Sequence, residues 1–221
     1  MTLYVINPSS SQGATDGLKD AIDPLVSFGH PIHCLTLAEG PAGIEMQAHF
    51  DGVIEPTLRL ARSLTDATGF VTACFSDPGV TRLRQETSRP VLGIREAAFS
   101  DALTLGERFG IIAIRPASIP RHLAAVSSMG LNDRFAGGRA LNLGVKDLAD
   151  EKRALDRLIS TACQLRDEDG ADVLILGCAG IAQYRTRVEA AAGIPTIDPT
   201  QSTVALTLGR ISLRQSHKPE V

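Results

Sequence analysis

The sequence predicts an α/β fold of two pseudo-symmetric lobes, each a parallel four-stranded sheet flanked by helices, and three observations carry that expectation. First, short runs rich in Val, Ile and Leu alternate with longer stretches of helical spacing. Strands that are apolar throughout belong in parallel sheets covered on both faces. Second, two stretches read as copies: Gly69 to Cys74 followed by Pro90-Val91-Leu92-Gly93, and Ala171 to Cys178 followed by Pro195-Thr196-Ile197-Asp198, with 16 and 17 residues from cysteine to proline. Third, Leu3 to Ser10 answers Ile111 to Ser118, with 66 residues from Pro8 to Cys74 and 62 from Pro116 to Cys178. A unit folded twice and packed face to face would set both cysteines across one interlobe cleft, the expected active site.

The elements follow in order. A strand is expected at 2–7, where Leu3 to Ile6 is apolar and Asn7-Pro8 stops the ladder. A second is expected at 31–37, then a helix from Gly43 to Leu64 and a strand at 69–74. Asp77-Pro78 reads as a helix start, Asp77 as N-cap and Pro78 at the first helical position, so a helix is expected to Thr87. A strand at 90–94 and a helix from Ala97 to Phe109 complete the first copy. The second copy gives strands at 110–115, 139–143, 172–177 and 195–197, with helices Ile119 to Met129, Leu148 to Asp169 and Thr200 to Leu213. Residues 134–139 read as a flexible turn, and their Gly-Gly beside Arg lacks the order of a nucleotide-binding loop. The expected lobes are 1–96 with 199–221, carrying Cys74, and 97–198, carrying Cys178.

Composition narrows the function. A net charge of −3, no tryptophan and no basic patch argue against nucleic acid and anionic membrane as partners. The start lacks a signal peptide and no apolar run approaches the roughly 20 residues of a membrane span, so a cytoplasmic protein acting on a small molecule is expected. In that compartment four cysteines read as thiols. The absence of a C-x-x-C pair or His-rich spacing gives no expectation of metal. None of His30, His33, His49, His122 and His217 has a partner in the repeat, and none is assigned to catalysis.

Asn7, Cys74, Arg115 and Cys178 all fall at strand carboxyl ends, where ligands of open parallel sheets bind. A helix N-terminus there lowers a thiol pKa and offers N–H groups to a developing oxyanion. Inverting a carbon next to a carbonyl needs a base on one face and an acid on the other. One thiolate can take the proton, the other thiol can return one, and backbone N–H groups can hold the enolate, with no cofactor. Cys34 within a strand and Cys163 in mid-helix are expected to be packing residues.

The runs Cys74-Phe75-Ser76-Asp77-Pro78-Gly79, Leu92-Gly93-Ile94-Arg95-Glu96-Ala97-Ala98 and Leu176-Gly177-Cys178-Ala179-Gly180-Ile181-Ala182 resemble the aspartate/glutamate/hydantoin racemase superfamily. The hydantoin and allantoin racemase branch is nearest, and Ile6 to Ser11 fits it too. The resemblance implies a cofactor-independent racemase or epimerase with Cys74 and Cys178 as paired acid and base. It implies a pocket lined by Asn7, Phe75, Ser76, Ala179 and Gly180, and a C-terminal helix returning to the first lobe. A homo-oligomer acting on a hydantoin, an allantoin-like compound or an amino acid is expected. Three departures bear on substrate: Pro41-Ala42-Gly43-Ile44-Glu45 lacks a family hydroxyl, Ala113-Ile114 replaces a Thr-Thr pair, and Arg95 replaces a small residue. With Arg115 pairing with Asn7 in the repeat, such a pocket suits a free carboxylate. Glu96 is expected to be structural and Arg95 to serve a lobe or subunit contact. The competing functions are a decarboxylase or cis-trans isomerase using one cysteine, and a non-catalytic small-ligand-binding relative.

Overall fold

The computed structural model describes residues 2–143 and 150–213. The chain divides into two compact units, Met1–Ala97 with Thr200–Val221, and Ala98–Pro199. His217 and the expected start of a helix at Leu148 lie outside the described residues.

The first unit holds β1 (Thr2–Asn7), α1 (Gln12–Val26), β2 (Ile32–Thr36), α2 (Gln47–Gly52), α3 (Ile54–Ser63), β3 (Ala67–Thr72), α4 (Val80–Glu86), β4 (Val91–Gly93) and the start of α5 (Ile94–Leu105). Its strands are all parallel in the order β2-β1-β3-β4. The second unit holds β5 (Phe109–Ala113), α6 (Ile119–Ser128), β6 (Phe135–Ala140), α7 (Glu151–Asp167), β7 (Val173–Leu176), α8 (Arg185–Ala192) and β8 (Thr196–Ile197). Its order, β6-β5-β7-β8, is that of the first sheet with four added to each number. From Pro199, α9 (Pro199–Ser212) runs back into the first unit.

Alternation of side chains along each strand builds two layers of core. On one face of the first sheet, Tyr4, Ile6, Phe70 and Val91 pack with Leu58 and Ala61 of α3 and Val80 and Leu83 of α4. On the other face Gly69 leaves room for α9, since a Cβ there would lie 3.1 Å from Ile211 Cδ1 and 3.3 Å from Thr207 Cγ2. In the second sheet, Ile112, Leu174 and Leu176 pack against Ala154, Leu158 and Leu165 of α7 and Val188 of α8. There α5 contributes Phe99, stacked on Phe109 with ring centroids 5.2 Å apart.

Two elements differ from the sequence expectation. The helix expected over Gly43 to Leu64 is broken into α2 and α3, because Pro56 has no N–H to give the Gly52 carbonyl and the ladder resumes with the Thr57 N–H on Val53. The turn expected at 134–139 is instead most of β6, whose Gly137 and Gly138 pair with Gly110 and Ile111. Glycines hide this edge strand from propensity, and one of them sits close under a carboxylate: a Gly137 Cβ would lie 3.0 Å from Asp169 Oδ2. Arg139 is spent on ion pairs with Asp169 (2.6 Å) and Glu168 (2.7 Å), not held out toward a phosphate.

Gly177 marks the tightest approach near the second sheet's carboxyl edge, where a Cβ would lie 2.7 Å from Ile112 O and 3.0 Å from Ile111 Cγ2. Gly177→Ala should therefore destabilise the protein by about 1–3 kcal/mol through overpacking, lowering Tm by roughly 2–10 °C in thermal unfolding.

Candidate active site at the sheet carboxyl ends

The order 2-1-3-4 places β1 and β3 side by side with connections leaving toward opposite sides, the point at which open parallel sheets form a ligand crevice. In the first sheet the Ala73 N–H donates to Ile6 O (2.8 Å) and the Leu37 N–H to Asn7 O (2.9 Å). In the second the Gly177 N–H donates to Ile112 O (2.8 Å) and the Leu141 N–H to Ala113 O (2.8 Å). These bonds equate Ala73 with Gly177, so Cys74 and Cys178 occupy the same place, each one residue past the last amide of its strand pairing. They also equate Asn7 with Ala113. Arg115 lies two residues beyond and is exposed, so the pairing of Arg115 with Asn7 expected from the sequence is displaced: Pro8 and Pro116 are not equivalent positions.

Asn7 is buried and its amide is fully engaged. Nδ2 donates to Ser11 O and Thr15 Oγ1, both at 3.0 Å, while Oδ1 accepts from the Ser9 N–H (3.0 Å) and Ser9 Oγ (2.9 Å). It shapes the loop from β1 into α1, whose N-cap, Ser11, accepts from the Ala14 N–H.

Past β3, the Asp77 N–H donates to Cys74 O (2.9 Å) and closes a tight turn in which Phe75 and Ser76 are buried. The expected N-cap role of Asp77 toward the following helix is not realised. Gly79, at φ 78°, precedes α4, and Asp77, itself at φ 53°, turns its carboxylate to α5. There Oδ1 accepts the Arg95 N–H (2.9 Å) and Oδ2 the Glu96 N–H (3.0 Å). The carboxylate sits on Gly93, where a Cβ would come within 2.7 Å of Asp77 Cβ. Arg95 Nε approaches Oδ2 at 3.7 Å, so this side chain, expected at a lobe or subunit contact, serves the first unit's own turn. Glu96 is bidentate to Arg84 and accepts the Gly93 N–H (3.0 Å). Burial pushes the Asp77 carboxyl up to about 6, against the opposing pull of Arg95 and the two N–H donors, with its side chain only 8% exposed.

Cys178 stands before a 3₁₀ turn over Ala179–Tyr184 and is packed against the cluster containing Ile181 and Tyr184. The Gly180 N–H donates to its sulfur at 3.4 Å. Burial raises the Cys178 thiol pKa and outweighs that donor, so the lowering expected of a helix start does not prevail here. Ala179 is half-buried and Gly180 exposed. Cys34, in β2, is pushed up to about 11 by burial, and Cys163 lies within α7. All four cysteines are thiols without a disulfide. Among the described residues no cluster of three His, Cys, Asp or Glu side chains is placed to hold a metal ion, and no helix is long and apolar enough to cross a membrane.

The family model described as Asp/Glu/Hydantoin racemase matches residues 3–207. The chain is 34% identical to a hydantoin racemase of Paenarthrobacter aurescens, over 96% of this chain and 92% of that one. It is 32% identical to a hydantoin racemase of Rhizobium meliloti, over 93% and 87%. Its fold matches that of an allantoin racemase from Klebsiella pneumoniae with a TM-score of 0.93 at 24% identity, covering 99% of this chain and 90% of that one.

The Asp77 carboxyl keeps its proton to about 6 in the folded protein and to about 3.9 in the unfolded chain, so across that window the native state binds more protons and stability falls as pH rises. The stability of the wild type minus that of Asp77→Ala, from urea unfolding, should therefore drop by about 2–3 kcal/mol between pH 4 and pH 7 and stay level above that. A flat difference would show that the N–H donors cancel the burial.

Proposed function

Because the chain belongs to the Asp/Glu/hydantoin racemase family and is an isomerase of the hydantoin racemase type, we propose that it inverts a stereocentre alpha to a carbonyl by proton transfer between two thiols, Cys74 and Cys178. The observation that carries this reading is the register of the two sheets, which gives both cysteines the same position past the end of the third strand of each half. In this scheme one thiolate removes the α-proton and the opposite thiol donates a proton to the other face of the enolate. The raised pKa of Cys178 suits a resting thiol, and the Gly180 N–H supports the thiolate formed when that proton leaves.

The substrate proposed is a hydantoin- or allantoin-type small molecule, on the strength of the relatives at 34% and 32% identity. Phe75, Ser76, Ala179 and Gly180 flank the two thiols in sequence and are proposed to line the pocket; Asn7 contributes by fixing the β1–α1 loop. Arg115 is proposed to reach substrates that bear a free carboxylate.

The reaction is tested by following proton–deuterium exchange at the α-carbon by NMR across hydantoins, allantoin and acidic amino acids. Cys74→Ser and Cys178→Ser should each abolish racemisation while retaining exchange of one enantiomer only, opposite for the two variants, and Cys34→Ser and Cys163→Ser should racemise normally. Near wild-type racemisation by either of the first two would require a mechanism without paired thiols.

Arg115→Met should lower kcat/KM for a carboxylate substrate by about 1.5–3 kcal/mol and leave a neutral hydantoin ring unaffected. Equal kinetics on every active substrate would remove Arg115 from the binding set.

A further inference from the structure

We propose that Asp77 is a positioning residue, which ties the Cys74 turn to the start of α5 and so sets where the Cys74 sulfur points. The inference rests on the reading of Cys74 as a proton-transfer group. The attachment is made from both ends of Asp77. Its N–H holds Cys74 O, three residues back, and its two carboxylate oxygens take the Arg95 and Glu96 N–H groups of α5, one each. The base to which it is tied is itself rigid. Glu96 is clamped by Arg84, which also donates to Val91 O (2.9 Å) in β4, and the Gly93 N–H closes back onto Glu96. Asp77 keeps a positive φ of 53°, a strained choice for a residue with a Cβ, which persists only where the surroundings over-determine it.

In the other half the Ile181 N–H also donates to Cys178 O (3.3 Å), but the carboxylate attachment has no copy at that position, because the residue there is Ile181. Counting three residues past each cysteine, the position matching Asp77 is Ile181; by the pairing of Phe70 with Val91 and of Leu174 with Thr196, the position matching Gly93 is Asp198. Loss of the Asp77 contacts should therefore act on one thiol only. A group needed merely for folding would weaken both alike.

That asymmetry is measurable. Two enantiomers have equal free energy, so kcat/KM must be equal in the two directions for every variant, and the bias appears instead in isotope effects. Asp77→Asn leaves one acceptor for two N–H groups, and Gly93→Ala pushes a methyl group into the carboxylate without changing any charge. Each should lower kcat about 10- to 100-fold with KM within about threefold, the scale of a misplaced reacting group. The substrate deuterium isotope effect should rise for the enantiomer that still exchanges in Cys178→Ser, because Cys74 removes its proton, and fall for the other. Circular dichroism identifies folded variants, and should Asp77→Asn fail to fold, Gly93→Ala decides. Folded variants with wild-type kcat, or with isotope effects equal in both directions, overturn the positioning role while leaving the paired thiols intact. Wild-type racemisation by Cys74→Ser, assayed alongside, overturns the paired thiols themselves and this inference with them.

Discussion

Everything at the carboxyl edge depends on two backbone hydrogen bonds, from Ala73 to Ile6 and from Gly177 to Ile112. Each is the final bond between a cysteine-bearing strand and its neighbour, and beyond it the chain must leave the sheet. The following residue thus begins the turn with its backbone direction already set. In the second half this needs a glycine, since the Ile112 carbonyl occupies the space of a Cβ. In the first half Ala73 suffices. Two thiols at one position in two sheets are a consequence of pairing register, with spacing in sequence only its shadow.

That shadow made most of the fold legible. Apolar runs locate seven of the eight strands among the described residues, because buried parallel strands have no polar face to confuse the pattern. β6 escapes the pattern because its Phe135-Ala136-Gly137-Gly138-Arg139 run has turn-like composition, with Gly137 lying close under the Asp169 carboxylate. The cysteines were legible as a repeat. The match of Arg115 to Asn7 was not sound, because a proline two residues out of register looked equivalent when only local sequence was compared. Asp77-Pro78 has the sequence of a local helix cap. Its partners lie 18 and 19 residues on, a distance that no local rule crosses.

Cys178 and Asp77 show the same contest with different numbers of donors. Each is an ionisable group removed from water and offered backbone N–H bonds, and in each burial is the larger influence. Reading a helix start as sufficient to lower a thiol pKa counts the donors and leaves out the lost solvent. In the proposed two-thiol scheme the pair exchanges roles on every turnover, so a thiol easily reprotonated serves as well as one easily ionised.

The placement of α9 has a consequence for how the protein is made. Thr207 and Ile211 cover the Gly69 face of the first sheet, so a strand near residue 70 waits for a helix near residue 210. A ribosome delivers β1 to β4 long before that cover exists, and the apolar face of the sheet stays open until α9 has been made. Contacts of such long sequence separation slow folding. Of the two units, the one whose strands are translated earlier is the one completed later.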